Sequence, residues 1–364
     1  MNKMIAIRPS VGRKRGLQIG QEHGIRMGRC QFVLDSMIPA PLPLREARVL
    51  FIIQGFDAID QGIVDGLRQT VREAYTATAV DMLRLAAELG PNLVLVMNGL
   101  HVFPADHTDH VDQVRQMGIR TAIWFADDPY FTDHTASLAP HYDYVFTHEL
   151  SCVAFYREIG CGQVHYLPLA VNTAVFKPMH VSPEYRSDIC FIGNGFPNRI
   201  TLFNELTPYL VNKKVLIAGA LWEQLDGYSL LKKGIKLHWI PIEESVKYYN
   251  GAKIVINVHR LTYHETYNKN SRNIPGYSIN PRTYEIAGCG TLQLTDYRHD
   301  LDQYYTPGQD IETFLNTAEL IQKMKHYLRH EEDRMRIAIR GLRRTRDEHT
   351  FAHRLVKLMD IVFA

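Results

Sequence analysis

The sequence contains, twice over, a succession of short apolar runs that each end in glycine or polar residues and lead into an amphipathic segment. Apolar runs of this length, without alternation, are typical of strands buried on both faces. Strands joined by crossover helices form parallel sheets covered by helices. The predicted strands are 49–54, 93–97, 120–125, 142–146 and 163–166, then 188–192, 214–218, 236–239, 253–258 and 291–294. We therefore expect an α/β chain with two Rossmann-like domains.

The length of 364 residues and a hydrophobic fraction of 46% suit two domains of ordinary size. We place an N-terminal arm with a proline linker at 1–45, a first domain at 46–172, a linker at 173–186, a second domain at 187–347 and a C-terminal helix at 348–364. In the arm, Gly16, Gly20, Gly24 and Gly28 recur every fourth residue. On a helix they would form a bare stripe against which another backbone could pack. Because glycine lowers helix stability by about 1 kcal/mol per site, the segment is either an arm docked by tertiary contacts or a loosely ordered extension.

Composition excludes several classes of function. A formal net charge of +2 gives no reason to expect a nucleic-acid partner. The 5 scattered cysteines lack a CxxC pair, which predicts reduced thiols in a cytoplasmic protein rather than disulfides or a zinc site. No apolar run approaches the roughly 20 residues that a transmembrane helix needs, and the basic N-terminus lacks the apolar core of a signal peptide. The motifs of serine hydrolases, zinc proteases and P-loop enzymes are absent.

The most informative block is N-P-R-T-Y-E-I-A-G-C-G-T-L-Q-L-T-D, from Asn280 to Asp296. Asn280 is a good helix cap, and Pro281 suits the first helical position. The helix start would offer unpaired N–H groups beside Arg282, which together suit phosphates, and Glu285 could hold two ribose hydroxyls. A nucleoside diphosphate would fit this set. A capped surface helix with an exposed glutamate fits the same residues equally well.

Other strand ends supply further candidates for nucleotide binding. The turn of Gly193 and Asn194 precedes a helix whose first turn carries Arg199, so backbone donors and a cation converge there. A plain strand-to-helix turn would have the same sequence. The nucleotide base could stack near Trp239 and Ile240, although Trp239 would equally suit the core. Asn257 ends the next strand and faces the same crevice, where it could also be an ordinary turn residue.

The E-I-A-G-C-G run from Glu285 resembles the E-A-x-A-C-G turn that follows the donor-binding glutamate of glycosyltransferases with the two-Rossmann-domain GT-B fold. The lead-in N-P-R-T-Y-E is similar to that of CgeB-type spore-maturation glycosyltransferases, where an Arg-x-x-Glu pair precedes the turn. The stretch L-P-L-A-V-N at 167–172, followed by F-K-P at 176–178, resembles their inter-domain connector. Many retaining members carry a second glutamate where this chain has Tyr277.

The resemblance implies a UDP-sugar donor bound in a cleft between two facing domains and a last helix that crosses back to the first domain. It also implies that no metal or other cofactor is needed, because such enzymes stabilise the leaving diphosphate with helix termini and cations. The Asp127-Asp128 pair is the nearest imitation of a metal-binding DxD motif, without a second acidic ligand. For deprotonation of the acceptor we rank Asp127 and Asp128 first and His101 second, since all three follow predicted strands.

The sequence therefore predicts a metal-independent glycosyltransferase that moves a sugar from a nucleotide sugar to a glycan or protein acceptor, such as a cell-surface or spore-coat polymer. Two alternatives remain at this point. One is a nucleotide-sugar epimerase or phosphorylase with the same architecture. The other is a non-catalytic coat or assembly protein that has kept the fold, which the glycine arm and Tyr277 favour.

Overall fold

The computed structural model describes residues 9–38, 41–263 and 266–364. The first eight residues of the predicted arm and two residues of its proline linker lie outside these ranges. Within them the chain forms two six-stranded sheets, and every strand pair is parallel. None of the helices in the described ranges is long and apolar enough to cross a membrane. The predicted α/β architecture with two Rossmann-like sheets is confirmed.

The first sheet has the strand order β2-β1-β3-β4-β5-β6. The chain changes direction across the sheet between β1 and β3, so a crevice opens there at the carboxyl ends of the strands. The arm and first sheet comprise α1 (Pro9–Ser36), β1 (Arg45–Ile52), α2 (Asp57–Thr70), β2 (Val71–Ala77), α3 (Met82–Leu89), β3 (Leu93–Met97), α4 (His107–Gln116), β4 (Arg120–Phe125), α5 (Thr132–Leu138), β5 (Tyr144–Thr147), α6 (Cys152–Glu158) and β6 (Val164–Tyr166).

The second sheet has the order β12-β11-β10-β7-β8-β9, which in its own numbering is the Rossmann order 3-2-1-4-5-6. Its crevice lies between β7 and β10. The elements are β7 (Ser187–Ile192), α7 (Pro197–Leu210), β8 (Val215–Ala218), α8 (Tyr228–Leu231), β9 (Ile235–Lys236), α9 (Ile242–Gly251), β10 (Ala252–Asn257), α10 (Pro281–Gly288), β11 (Leu292–Asp296), α11 (Leu301–Tyr304), β12 (Glu312–Phe314), α12 (Thr317–Arg329), α13 (Glu331–Glu348) and α14 (Phe351–Val362).

The apolar strands are buried on both faces, as their composition predicts. In β1, Leu50 and Ile52 belong to one core layer, whereas Val49 and Phe51 belong to the layer on the opposite face. The second sheet divides in the same way, with Ile254 in one layer and its neighbour Val255 in the other. Alternate side chains point to opposite faces of a strand. A strand covered by helices on both sides therefore has no polar face.

The last helix packs against the first domain. Phe351, Leu355 and Leu358 of α14 belong to the core layer that includes Val49. The helices approach closely because α2 carries Gly62 and Gly66: an added methyl group would lie 2.3 Å from the Phe351 ring and 2.6 Å from Leu355, respectively. Small residues four apart on α2 therefore form the groove that accepts α14.

One helix and one strand of the first domain differ from the prediction. The segment 55–62 was expected to be a loop, but α2 begins at Asp57 and runs directly into β2, which the sequence analysis missed. The side chain of Asp60 explains the early start. Its carboxylate accepts the N–H groups of Gly55 and Phe56, both at 2.7 Å, and so stabilises the approach to the helix.

The glycine stripe of the arm is not a packing surface for this chain. Residues 9–36 form the single helix α1, which docks on α13 through Cys30 and Val33 against Leu342. No atom lies within 4 Å of a methyl group added at any of the four glycines. Within the described chain no other backbone packs against the stripe, but the arm is docked by tertiary contacts, which is one of the two predicted alternatives. The arm is held by the opposite face of the helix.

Candidate functional site

The carboxyl ends of the two sheets face each other across a cleft, and residues 258–263 and 266–280 of the second domain contact the first domain across it. Backbone hydrogen bonds join Lys269 N–H to the Tyr130 carbonyl at 2.7 Å and Asp133 N–H to the Lys269 carbonyl at 2.9 Å. The Asp133 carboxylate also accepts the Ser271 hydroxyl at 2.6 Å. In the first domain, buried Glu149 accepts the Tyr277 N–H at 2.9 Å. Both walls of the cleft are thus fixed by contacts at their strand ends.

The helix start at Asn280 is confirmed, and it is held more firmly than the sequence suggests. The Asn280 side chain accepts the N–H of Thr283 at 3.1 Å, and Pro281 occupies the first helical position. The buried amide of Asn257 exchanges two hydrogen bonds with that of Asn280, at 3.0 and 3.1 Å. Because Asn257 is fully buried and committed to the cap, its side chain is not available to a ligand. Asn280 is likewise used as the cap.

A histidine below the cap supports the same turn. His259 accepts the Asn280 N–H on Nε2 at 3.0 Å, so its Nδ1 carries the proton that is donated to Asp296 at 2.7 Å. Burial lowers the pKa of His259, which keeps the ring neutral. Burial alone would raise the pKa of Asp296, but His259 and then Arg298 hold it at about 2. The ionised Asp296 therefore fixes the tautomer and orientation of His259.

Arg282 and Glu285 lie in the first two turns of α10. Arg282 forms no hydrogen bond or ion pair with any described residue and is only partly buried. Burial raises the pKa of Glu285 from 4.5 to about 7, against the opposing effect of Arg282. A desolvated carboxyl and an unpartnered guanidinium are costly for a fold to keep. At the start of this capped helix they form a site that a phosphorylated ligand with hydroxyl groups would complete.

Arg199 lies behind this site rather than in it. Its guanidinium is buried, donating to the carbonyl of Val258 from Nε at 3.0 Å and to that of Asn194 at 2.9 Å. Burial, and next the charge of Arg282, lower the pKa of Arg199 to about 9. Arg199 thus ties the turn after β7 to the end of β10 while adding positive potential. We predicted a direct contact between Arg199 and a phosphate, and this geometry does not provide it.

The glycine turn after β7 is also largely committed. The N–H groups of Gly193 and Gly195 donate to the carbonyls of Ala218 and Ala220, at 2.7 and 2.8 Å. The Asn194 side chain accepts the Ala220 N–H at 3.1 Å. An added methyl group at Gly193, where φ is +152°, would lie 3.1 Å from the Arg199 guanidinium. Gly193 is needed because a side chain there would come too close to Arg199. Most of the N–H groups that we expected to bind phosphate already donate to carbonyls at or just after the end of β8.

A third cation, Arg260, was missed by the sequence analysis. Its guanidinium is sandwiched between the rings of Tyr130, at 4.6 Å, and Phe196, at 4.5 Å, and donates to the Tyr267 carbonyl. Because Tyr130 belongs to the first domain and Arg260 to the second, this contact shows that the two walls lie close together here. A signal was present, because Arg260 is the first cation after β10 and so falls at the crevice of the second sheet.

Trp239 and Ile240 differ from each other in their surroundings. Strand β9 ends at Lys236, three residues earlier than predicted. Trp239 is 79% exposed, so the expectation that it belongs to the core is wrong. Ile240 is buried and packs in the core layer of the second domain that contains Ile286 of α10. An exposed indole beside this layer remains free to stack on a flat ligand.

The first wall carries a hydrogen-bonded histidine and carboxylate. Asn98 follows β3 with a φ of +59°, and its side chain binds the N–H groups of Ala126 and Asp127 and donates to the Asp127 carboxylate at 2.8 Å. His101 Nε2 lies 3.3 Å from the same carboxylate, and this hydrogen bond raises the pKa of His101. Nδ1 is then left as the acceptor on the ring. Asn98 was also missed, although it directly follows a buried strand.

Asp128 does not belong to this wall. Its carboxyl is fully buried and accepts hydrogen bonds from Thr147 at 2.6 Å and Tyr156 at 2.8 Å. Burial raises the pKa of Asp128 to about 7. Adjacent residues leave a strand end in opposite directions, which places Asp127 in the cleft and Asp128 beneath it. The ranking of Asp128 among the candidate bases is therefore corrected, and the two carboxylates do not form a paired metal-binding set.

Comparison with known proteins gives the family. The chain is 30% identical over 329 residues to the spore protein CgeB of Bacillus subtilis, an alignment that covers 87% of this chain and 99% of the relative. The chain belongs to the CgeB family of GT-B glycosyltransferases. A family profile described as glycosyl transferase-like matches residues 199–360, which include α10.

Solved structures share the fold of this CgeB-family chain. Sucrose-phosphate synthase from Thermosynechococcus elongatus superposes with a TM-score of 0.58 at 11% identity, covering 88% of this chain and 99% of that one. Anabaena HepE, solved in complex with UDP-glucose, gives a TM-score of 0.57 at 9% identity and covers 86% and 99%. Both pairs differ too much in sequence to transfer residue roles, so they establish the architecture alone.

Proposed function

We propose that this CgeB-family protein transfers a sugar from a UDP-sugar to an acceptor hydroxyl, and that the nucleotide binds at the start of α10. The observation that carries the proposal is that two side chains lie near the capped start of α10: Arg282, which has no hydrogen-bond or ion-pair partner among the described residues, and Glu285, whose pKa is raised to about 7. UDP supplies what this site lacks: a diphosphate for the cation and a ribose diol for the carboxylate. The Anabaena structures with UDP and with UDP-glucose support this class of donor.

The leaving diphosphate would be stabilised without a metal. Arg282 would bind the phosphates directly, while Arg199 and Arg260 add positive potential from behind and from the side. Glu285 would be ionised once ribose hydroxyls donate to it, because hydrogen bonds to the charged form lower a pKa. Trp239 would stack on the base. Charge on the diphosphate develops as the glycosidic bond breaks, so these cations favour the transition state over the ground state.

The acceptor would bind on the first wall. The Asp127 carboxylate holds Nε2–H of His101, which orients the ring and leaves Nδ1 to accept a proton from the acceptor hydroxyl. The same carboxylate then stabilises the imidazolium. This assigns His101 as the base and Asp127 as its positioning partner. The arrangement suits inversion better than retention because it provides a dedicated base.

For the acceptor we propose a glycan or a protein of the cell or spore surface, by analogy with the relative that is named as a spore protein. The 5 cysteines are all free and buried, which fits modification of the acceptor in the reducing cytoplasm.

Incubation with a panel of nucleotide sugars, followed by measurement of the released nucleotide, tests the proposal. We expect slow release of UDP from one or more UDP-sugars, and loss of this release in Glu285→Ala. A non-catalytic relative would instead bind UDP without releasing it from any donor. An epimerase would convert the sugar while the nucleotide stays attached, which chromatography of the donor distinguishes. Absence of UDP binding and of release from the whole panel would contradict the proposal.

A further inference from the structure

The arm helix α1 contacts the far end of the proposed nucleotide-binding helix. Arg26 of α1 donates from Nη2 to the Cys289 carbonyl at 2.6 Å and to the Thr291 hydroxyl at 3.1 Å. Its Nε donates to the Gly290 carbonyl at 3.3 Å. These groups form the turn that directly follows α10. A residue more than 260 positions earlier in the chain thus binds carbonyls that the end of a helix leaves without partners.

The turn after α10 is shaped to receive the arm. Gly290 has a φ of +65°, and a methyl group added there would lie 2.8 Å from the sulfur of Cys30. Cys30 is fully buried between this turn and Leu342 of α13. The Thr291 hydroxyl donates in turn to the Tyr249 carbonyl at 2.8 Å. The turn is therefore in close contact with the arm on one side and hydrogen-bonded to the Tyr249 carbonyl on the other.

The same arginine also reaches the connector between the domains. Arg26 Nη2 lies 3.1 Å from the side-chain oxygen of Asn250, which also accepts the N–H of Met179 at 2.9 Å. The Asn250 amide nitrogen donates to the Lys177 carbonyl at 2.9 Å. Arg26 and buried Asn250 thus hold the connector and the end of α10 in one network.

We propose that Arg26 is a positioning residue for the nucleotide site and acts through α10. The inference rests on the proposed function, because it takes the start of α10 as the place where UDP binds. Helix α10 has 8 residues and is therefore only about 12 Å long. A shift at its carboxyl end passes directly to Arg282 and Glu285 at the other end. The arm, which carries none of the groups proposed to touch UDP, would set the affinity of the site.

Arg29 provides a matched control on the same helix. It forms an exposed ion pair with Glu332 of α13, with N–O distances of 2.8 and 3.1 Å, and lies one turn from Arg26. Arg29→Gln therefore weakens docking of the arm without touching the turn after α10. Arg26→Gln removes the contacts with that turn. Arg26→Lys keeps the charge but loses the planar fork that reaches several acceptors.

The experiment measures two quantities in the full-length chain. Without ligand, hydrogen exchange of the amides in 282–290 should be about tenfold faster in Arg26→Gln than in the wild type and unchanged in Arg29→Gln. Calorimetric titration with UDP should give a Kd about tenfold higher for Arg26→Gln, unchanged for Arg29→Gln and intermediate for Arg26→Lys. If Arg26→Gln does not fold, Arg26→Lys against Arg29→Gln gives the same comparison.

The outcomes separate the two proposals. Equal exchange and equal Kd in Arg26→Gln and Arg29→Gln would overturn the positioning role while UDP binding by the wild type still stands. A lower melting temperature of Arg26→Gln with unchanged exchange in α10 and unchanged Kd would show a merely structural contact. Failure of the wild type to bind UDP would overturn the proposed function. In that case, faster hydrogen exchange of the α10 amides in Arg26→Gln but not in Arg29→Gln would still show that the arm stabilises α10.

Discussion

The two walls of the cleft have the same architecture and different chemistry. Each is the carboxyl edge of a parallel six-stranded sheet at the point where the strand order reverses. The second wall brings together a helix terminus and the cations Arg282 and Arg260, with Glu285 at a raised pKa. The first wall brings together His101 and Asp127. The two walls therefore share a crevice at the carboxyl ends of parallel strands, and the side chains that follow each strand decide what binds there.

The comparison also separates side chains that a ligand can reach from side chains whose hydrogen bonds stabilise the wall itself. On the second wall, Asn257, His259 and Arg199 have their polar atoms committed to the cap of α10 or to the turn after β7. Among the described residues, Arg282 has no such partner. On the first wall, Asp127 is partly exposed and Asp128 is fully buried. We therefore expect substitutions of the free groups to affect function and substitutions of the committed groups to affect stability.

The largest effect is expected on the first wall. His101→Gln should lower the rate of UDP release from the donor by about 100-fold or more, because it removes the proton acceptor. The Kd for UDP should stay unchanged, since the nucleotide lies on the other wall. His134→Gln is a suitable control, because the rings of His101 and His134 both pack near Phe131 and His134 is exposed. A loss of UDP affinity in His101→Gln, with no effect on release, would reverse the assignment of the two walls.

On the second wall, Arg282→Gln should raise the Kd for UDP by about 10- to 100-fold, as expected for loss of a hydrogen-bonded charge worth about 1.5–3 kcal/mol. Its melting temperature should hardly change, because Arg282 has no partner within the described chain. Arg199→Gln should instead lower the melting temperature, since it leaves the buried carbonyls of Val258 and Asn194 without their donors. The opposite pattern, a stable Arg199→Gln and an unstable Arg282→Gln, would contradict this division.

Glu285→Gln should weaken UDP binding by about tenfold and change the pH dependence of stability. The pKa of Glu285 is about 7 in the folded protein and 4.5 ordinarily, so the native state binds the extra proton. This contribution to stability is therefore lost as pH rises from about 4.5 to 7. Glu285→Gln lacks the effect and should be more stable than the wild type above pH 7. Urea titrations at pH 5 and pH 8 measure this, and a variant less stable at pH 8 would refute it.

The smallest effect is expected at Trp239. Stacking on a base is worth about 1 kcal/mol or more when it is removed by alanine, so Trp239→Ala should raise the Kd for UDP roughly fivefold. Stability should change little, because the side chain is 79% exposed. Comparison of UDP with ribose 5-phosphate, which has no base, is the control: the variant should bind ribose 5-phosphate as the wild type does. An unchanged Kd for UDP would remove Trp239 from the site.

The sequence allowed most of the fold to be predicted because buried parallel strands and their turns are local patterns. The Asn280-Pro281 start of α10 was predicted for the same reason. Helix α2 was missed because its early start depends on hydrogen bonds from the Asp60 side chain to two backbone N–H groups. The burial of Asp128 depends on Thr147, the last residue of the next strand, and on Tyr156 of α6. Such contacts leave no periodic signal in the sequence.

The glycines show that sequence spacing alone does not predict contacts with distant parts of the chain. The arm has four glycines at helical spacing that meet no neighbour among the described residues, whereas at Gly62 and Gly66 an added methyl group would collide with Phe351 and Leu355 of α14. The spacing alone does not distinguish these cases. What decides is whether an apolar helix elsewhere in the chain can reach the stripe, and α14 reaches α2 because the last helix returns to the first domain. Arg26 was missed for the same reason, since its partners lie far along the chain.

The central claim is that the diphosphate and ribose of the donor bind between Arg282 and Glu285 at the start of α10. A crystal structure of the protein with UDP tests it most directly. The account predicts phosphate oxygens within hydrogen-bonding distance of the Arg282 guanidinium and both ribose hydroxyls on the Glu285 carboxylate. UDP bound elsewhere, with Glu285 turned away from it, would contradict the account.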